Sequence, residues 1–334
     1  MIRREAGNPI LKNWIPFFGG VAMLFINSAY TQDAGCPIFP MEFVNDIQNL
    51  AIDLEFTFLD FNLDLYNQMD GYNNYGYLKS ISGGYAISND KARRSIISDY
   101  RFEALPTLKL LICLLNTKNF KENFLIKAIH EVCQEYGMEY NTVYHLLLST
   151  SKVIDSFVMN IDDENIVMNM PSVPSVFIGV WLAAKIKEKN PNFKITATGN
   201  QINIPEVASY VKKAGYIDDF INTKVHNNPL LKLRDVLEKL KAKSFDYPLY
   251  YGLKIIPYEL SHGCPAKCNF CTERLAWNSL GEIKDRYEFK DTEECITEIQ
   301  YLMDEYKISG LTFNDCMLNL NLPRYKKLIL FLLS

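Results

Sequence analysis

Several things are scarce in this chain of 334 residues, and each scarcity excludes something. Basic residues form no runs and the net charge is −4, which argues against nucleic acid as the main partner. No apolar stretch approaches the roughly 18 residues that suggest a membrane span, so no membrane partner is expected. Val21 to Ala29 is largely apolar and follows Arg3, Arg4 and Lys12, but it is short and broken by Asn27 and Ser28. It reads as a first strand rather than a signal peptide. Without such a signal, the eight cysteines point to a reducing, cytoplasmic setting rather than a disulfide framework. Internal repeats and low-complexity tracts are absent, which sets aside solenoids and disordered arrays.

What is present supports a folded chain of about two domains, with 48% hydrophobic and 22% charged residues. Five cysteines, Cys36, Cys113, Cys133, Cys295 and Cys316, are scattered singly and read as packing residues. The other three are grouped as Cys264-x-x-x-Cys268-x-x-Cys271, in a run from Tyr258 to Arg274. Three thiols so close in sequence can converge on one small object. A closed zinc site or an ordinary ferredoxin site wants four ligands, so a four-iron cluster held by three cysteines keeps one iron open for chemistry.

The setting of these cysteines is informative. Leu253–Leu260 is a short apolar run that reads as a buried strand, and Gly263 and Pro265 shape the loop after it. A helix follows, capped by Asp291 with Glu294 three residues on, with Ile296, Ile299, Leu302, Met303 and Tyr306 on one face. A second strand, Gly310–Asp315, precedes a helix from Pro323 through Leu333. Strand–helix–strand–helix is the unit of a parallel α/β barrel or sheet, whose sites form at the carboxyl ends of strands. The cysteine loop occupies one such end, and Asn314 and Asp315 the next.

Upstream, strands are expected at Val21–Ile26, Leu54–Asp60, Asn165–Met170, Phe193–Thr198 and Tyr216–Ile221. Helices are expected from Pro40, from about Val176 to Lys189 and from Pro205 to Lys213. Alternation with short links fits an open α/β sheet. Between the second and third strands, residues 61–155 read as an insertion. It holds a Gly-, Asn-, Tyr- and Ser-rich loop (Gly71–Gly84) and a helical stretch from Ala104 to about Thr150. The expected organisation is a lead-in at 1–20, an α/β domain at 21–225, a linker at 226–250 and a second α/β unit at 251–334.

The cysteine run and its flanks resemble the radical S-adenosylmethionine (SAM) superfamily, whose hallmark is a C-x3-C-x2-C loop after the first barrel strand. An aromatic stands beside the last cysteine, here Phe270. The wording from Ser261 to Arg274 and the strand end Phe313–Asn319 are similar to the superfamily's cobalamin-binding branch. That resemblance implies a Rossmann-like cobalamin-binding domain followed by the start of a (β/α) partial TIM barrel. It also implies that Cys264, Cys268 and Cys271 hold a [4Fe–4S] cluster whose fourth iron chelates SAM. A one-electron reductant would then drive release of a 5′-deoxyadenosyl radical toward a small-molecule or peptide substrate. Phe270 would pack against cluster or adenine, and Asn314 or Asp315 would contact the SAM amino or ribose groups. Asn27, Asp60, Ser172, Val173, Gly199 and Asn200 would lie near cobalamin.

The chain also departs from that pattern. No Asp-x-His-x-x-Gly loop supplies an axial histidine, and Thr198-Gly199-Asn200 stands where the family usually has Gly-Gly. Leu253 to Ser334 holds only two strand–helix units, fewer than a SAM barrel uses, which implies a truncated barrel or a second chain that completes it. Two other readings stand beside the first. One is a cobalamin- or nucleotide-binding module with a decayed barrel. The other is a zinc-stabilised α/β protein without redox chemistry, with His262 as the added ligand.

Overall fold

Residues 23–28, 56–69, 122–137, 139–221, 253–266, 287–313, 315 and 317–333 are described by the computed structural model of the chain. The apolar run near the start forms β1 (Met23–Asn27), buried at every position as a strand covered on both faces must be. It pairs in parallel with β2 (Phe56–Asp60) on one side and with β3 (Asn165–Asn169) on the other. Next come β4 (Lys194–Thr198) and the two-residue β5 (Asp219–Phe220), also parallel, giving the order β2-β1-β3-β4-β5. The order reverses at β1. In open parallel sheets that reversal opens a crevice beyond the carboxyl ends of the two strands that diverge, here β1 and β3.

Five helices accompany this sheet among the described residues: α1 (Phe61–Gln68), α2 (Glu122–Tyr136), α3 (Tyr140–Met159), α4 (Val173–Lys189) and α5 (Pro205–Ala214). Helix α4 starts a few residues earlier than its apolar pattern suggests. The cause is local: Ser172 and Ser175 form a reciprocal capping box, and a proline stands in the first turn, where its missing N–H costs nothing. At the far end of α4, Lys189 Nζ donates to the carbonyls of Met159 (2.9 Å) and Ile161 (2.6 Å), satisfying the exit of α3.

Helices α1 and α2 and most of α3 fall in the span read as an insertion, yet their apolar faces belong to the sheet's own core. Phe61, Leu65, Val153 and Ile154 cluster with Leu24, Ile26 and Ile166. Phe61 meets Phe157 edge-on at 5.0 Å, and Trp181, Phe177 and Phe25 are fully buried. The helix expected from Pro40, the loop at 71–84 and the stretch from Ala104 to Lys121 lie outside the described residues.

A second core belongs to the C-terminal unit. Strand β6 (Ile255–Tyr258) pairs in parallel with β9 (Gly310–Phe313), with α6 (Thr292–Tyr306) between them in sequence and α7 (Leu322–Leu332) after them. As anticipated, Asp291 caps α6, accepting from the N–H groups of Glu293 and Glu294. The buried stripe of α6 is Cys295, Ile299 and Leu302, at i, i+4 and i+7. Met303 was expected on that face and is instead 43% exposed, because a stripe centred on Ile299 leaves it on the flank. One pairing has no counterpart in the sequence pattern: β7 (Ser261–Gly263) runs antiparallel to β8 (Tyr287–Phe289).

The chain is thus mixed α/β with a five-stranded parallel sheet. None of the helices among the described residues is long and apolar enough to cross a membrane.

Gly199 and Gly215 both have positive φ, at 112° and 77°, but differ in their surroundings. A Cβ on Gly199 would lie 2.6 Å from the Met170 carbonyl carbon, whereas one on Gly215 would meet nothing within 4 Å. Gly215→Ala should therefore cost only the left-handed penalty of about 1–2 kcal/mol, while Gly199→Ala should cost clearly more in urea denaturation. Equal losses would contradict this packing.

Candidate functional site

The parallel register lines up four polar residues along the carboxyl edge of the first sheet: Asp60, Asn27, Asn169 and Thr198 are successive partners across β2, β1, β3 and β4. Asn27, Asn169 and Thr198 are buried. Buried polar groups must be paired, and most of this row is paired along itself. Asn27 Nδ2 donates to Asp60 Oδ1 at 2.8 Å, and Asn169 Nδ2 approaches Asn27 Oδ1 at 3.4 Å. Asp60 Oδ1 also accepts the Asn62 N–H at 3.0 Å, starting α1. Beside the row, buried Ser28 Oγ donates to the Asn169 carbonyl at 2.6 Å. The acceptor at the end of the chain of amides, Asn169 Oδ1, is buried without a hydrogen-bond partner among the described residues.

Of the residues assigned to this edge from sequence, Asn27 and Asp60 bond each other, and Ser172 caps α4. Val173 is the first residue of α4, and Gly199 and Asn200 form the turn after β4, where the Ile202 and Asn203 N–H groups return to their carbonyls. The glycine's missing side chain is used by the chain itself, since Met170 and Asn169 fill the space where a Cβ would stand. Asn169 was not singled out in the sequence. The signal was available, because β1 and β3 both end in Asn after an apolar run.

The second candidate site is the cysteine loop. Cys264 follows β7 directly and is a free, half-buried thiol. Cys268, Phe270, Cys271 and Asn314 lie outside the described residues. Among the described residues no three metal-ligating side chains converge. Cys133 and Cys295, by contrast, are buried in the two cores. Burial, with the Glu139 carboxylate nearby, pushes the Cys133 thiol up to about 11, so it stays protonated and unreactive at neutral pH.

The structure is most specific about the entrance to this loop. Asp315, two residues past β9, accepts from the Leu260 N–H at 3.0 Å with one carboxylate oxygen and from Ser261 Oγ with the other. Arg324 Nη2 donates to the Leu260 carbonyl at 2.8 Å, and its guanidinium lies 4.9 Å from the centre of the Phe289 ring. The Lys290 N–H shares the same carbonyl at 2.9 Å. Tyr287 donates its hydroxyl proton to the Met317 carbonyl. At the end of β6, the buried Tyr258 hydroxyl donates to Glu298, which also pairs with Lys290 at 3.5 Å. The sequence alone marked Asp315 but gave no sign of Arg324, whose role depends on the β7–β8 ribbon.

A scan against protein-family models, a search of curated proteins and a search of solved structures each found no match to this chain.

Burial holds the Asp315 carboxyl above its ordinary value of 3.8, and the nearby Glu259 adds to this, against the opposing pull of the Ser261 and Leu260 hydrogen bonds. The native state then binds this proton more tightly than the unfolded chain, so the group's contribution to stability is complete below 3.8 and is lost as pH rises through the raised value. In urea midpoints measured from acid to neutral pH, Asp315→Asn should gain on the natural chain across that window and level off above it. A difference independent of pH would contradict the assignment.

Proposed function

We propose that the chain is a radical SAM enzyme, or a portion of one, in which Cys264, Cys268 and Cys271 hold a [4Fe–4S] cluster. One observation carries this reading: the cysteine loop leaves the carboxyl end of the first strand of a parallel β–α–β–α unit, with the end of the next strand reaching back to its entrance. Such strand ends are where α/β folds build active sites. The donor set suits the group. Three thiols in one loop supply three iron ligands and leave a position open, and the one described, Cys264, is only half-buried. When bound, the cluster and SAM together supply one-electron reductive cleavage to a 5′-deoxyadenosyl radical.

The protein's own contribution is holding and shielding. Asp315 and Arg324 fix the backbone three to four residues before Cys264. The Ile256, Tyr258 and Leu260 side chains, just before the cysteines in sequence, are anchored in the apolar core of the C-terminal unit. In this reading the C-terminal unit is the beginning of a (β/α) partial TIM barrel, and the first domain is a Rossmann-like, cobalamin-binding type. The strand order and its switch point support the second part. Gly199 and Ser172 are accounted for by the chain's own packing and add nothing to that case.

Anaerobic reconstitution with iron and sulfide, reduction, and an assay for 5′-deoxyadenosine tests the proposal. Release that disappears in Cys268→Ala is the expected outcome. No release from a chain that has bound its cluster, even with added partner domains, would remove the enzymatic reading.

A further inference from the structure

Both stems of the loop that carries the cysteines are tied to one short segment. The entering stem, Leu260–Ser261, is held through its N–H and hydroxyl by Asp315 and through a carbonyl by Arg324. The leaving stem, Tyr287–Phe289, is held through the Tyr287 hydroxyl by the Met317 carbonyl and through the Phe289 ring by Arg324. The stems also pair with each other, Ser261 with Phe289 and Gly263 with Tyr287. These hydrogen bonds and the cation–ring contact thus come from Asp315, Met317 and Arg324, between the end of β9 and the first turn of α7. Both oxygens of the Asp315 carboxylate are engaged, and Arg324 makes a second use of its fixed planar fork on a ring face.

We infer that residues 315–324 clamp the two stems of the cysteine loop, with Asp315 and Arg324 as positioning residues for Cys264 rather than ligands of SAM. The inference rests on the loop being a cluster site, and it revises the role that the resemblance implies for Asp315. Its chemical basis is that a partly buried donor or acceptor left without its partner is costly, so removing Asp315 or Arg324 strands the Leu260 and Ser261 groups they hold. A loop with many conformers holds a multi-ligand object poorly, because ordering it costs entropy at each binding event.

The test uses the full chain in two forms. In the metal-free chain, alkylation of Cys264 by iodoacetamide is followed by mass spectrometry, with buried Cys133 and Cys295 as internal controls for unfolding of the first and second cores. In the iron-reconstituted chain, iron retained per chain and the change in the EPR spectrum on adding SAM are read. Asp315→Ala and Arg324→Gln should each raise the Cys264 rate by about tenfold while Cys133 and Cys295 stay protected, and should lower iron retention. Asp315→Asn should stay within about twofold of the natural chain in all readouts, because an amide can still accept from Leu260 N–H and donate to Ser261 Oγ.

Retained iron with a lost SAM response in Asp315→Asn would make Asp315 a direct SAM contact and overturn the inference. Unchanged Cys264 reactivity in Asp315→Ala, with only a lower melting temperature, would reduce the clamp to ordinary packing and overturn it too. Should Asp315→Ala expose Cys133 or Cys295, Ser261→Ala decides the matter by the same rates, with a smaller rise expected and no rise counting against the clamp. If the natural chain takes up no iron, the cluster reading fails, while the alkylation rates still decide whether the stems are clamped.

Discussion

Parallel pairing of β6 with β9 brings two strand ends together, and the Asp315 carboxylate spans the gap between them. A parallel pair needs a long crossover, here α6, and its two carboxyl ends necessarily face the same way. That geometry lets a residue leaving the second strand hold the chain that leaves the first. The Leu260 backbone, pinned on both its N–H and its carbonyl, then enters β7 in one orientation. Pairing of β7 with β8 follows, and so does the meeting of the two ends of the cysteine loop.

The first sheet solves a related problem with amides. Its carboxyl edge carries a row of buried polar side chains, which water cannot satisfy, so they satisfy one another from Asn169 through Asn27 to Asp60. The row ends at an acceptor with no donor among the described residues, at the strands flanking the switch point. Gly199 seals the neighbouring turn by letting Met170 approach its backbone. The two units therefore share a plan: apolar strands fill the core and polar residues at the carboxyl ends define the edge. They differ in that the first edge is largely closed on itself, while the second presents a free thiol.

Much of this was legible in the sequence. The strands at 23–27, 56–60, 165–169 and 194–198 stand out as apolar or β-branched runs, and the Asp291 cap and Pro205 mark helix starts. The cysteine spacing is legible at once, because the ligands are adjacent in sequence. What escaped notice depends on distant partners. Arg324 lies 64 positions from Leu260 and looks like any surface arginine near a helix start. The β7 and β8 strands have three residues each, too short for a period to register. The helices between β2 and β3 look like an insertion because a long loop precedes them, yet their apolar stripes pack into the sheet's own core. Met303 was misplaced for a simpler reason: a stripe three residues wide can be centred in two ways on the same apolar positions.

The claim on which the account depends is that the three thiols of one loop hold iron rather than zinc. Iron, zinc and acid-labile sulfide should be measured on the anaerobically reconstituted full chain, beside single Cys264→Ala, Cys268→Ala and Cys271→Ala variants. The account predicts about four irons and four sulfides per chain, with loss in each of the three variants. One zinc per chain with no iron, or a cluster that persists when Cys264 is replaced, would contradict it.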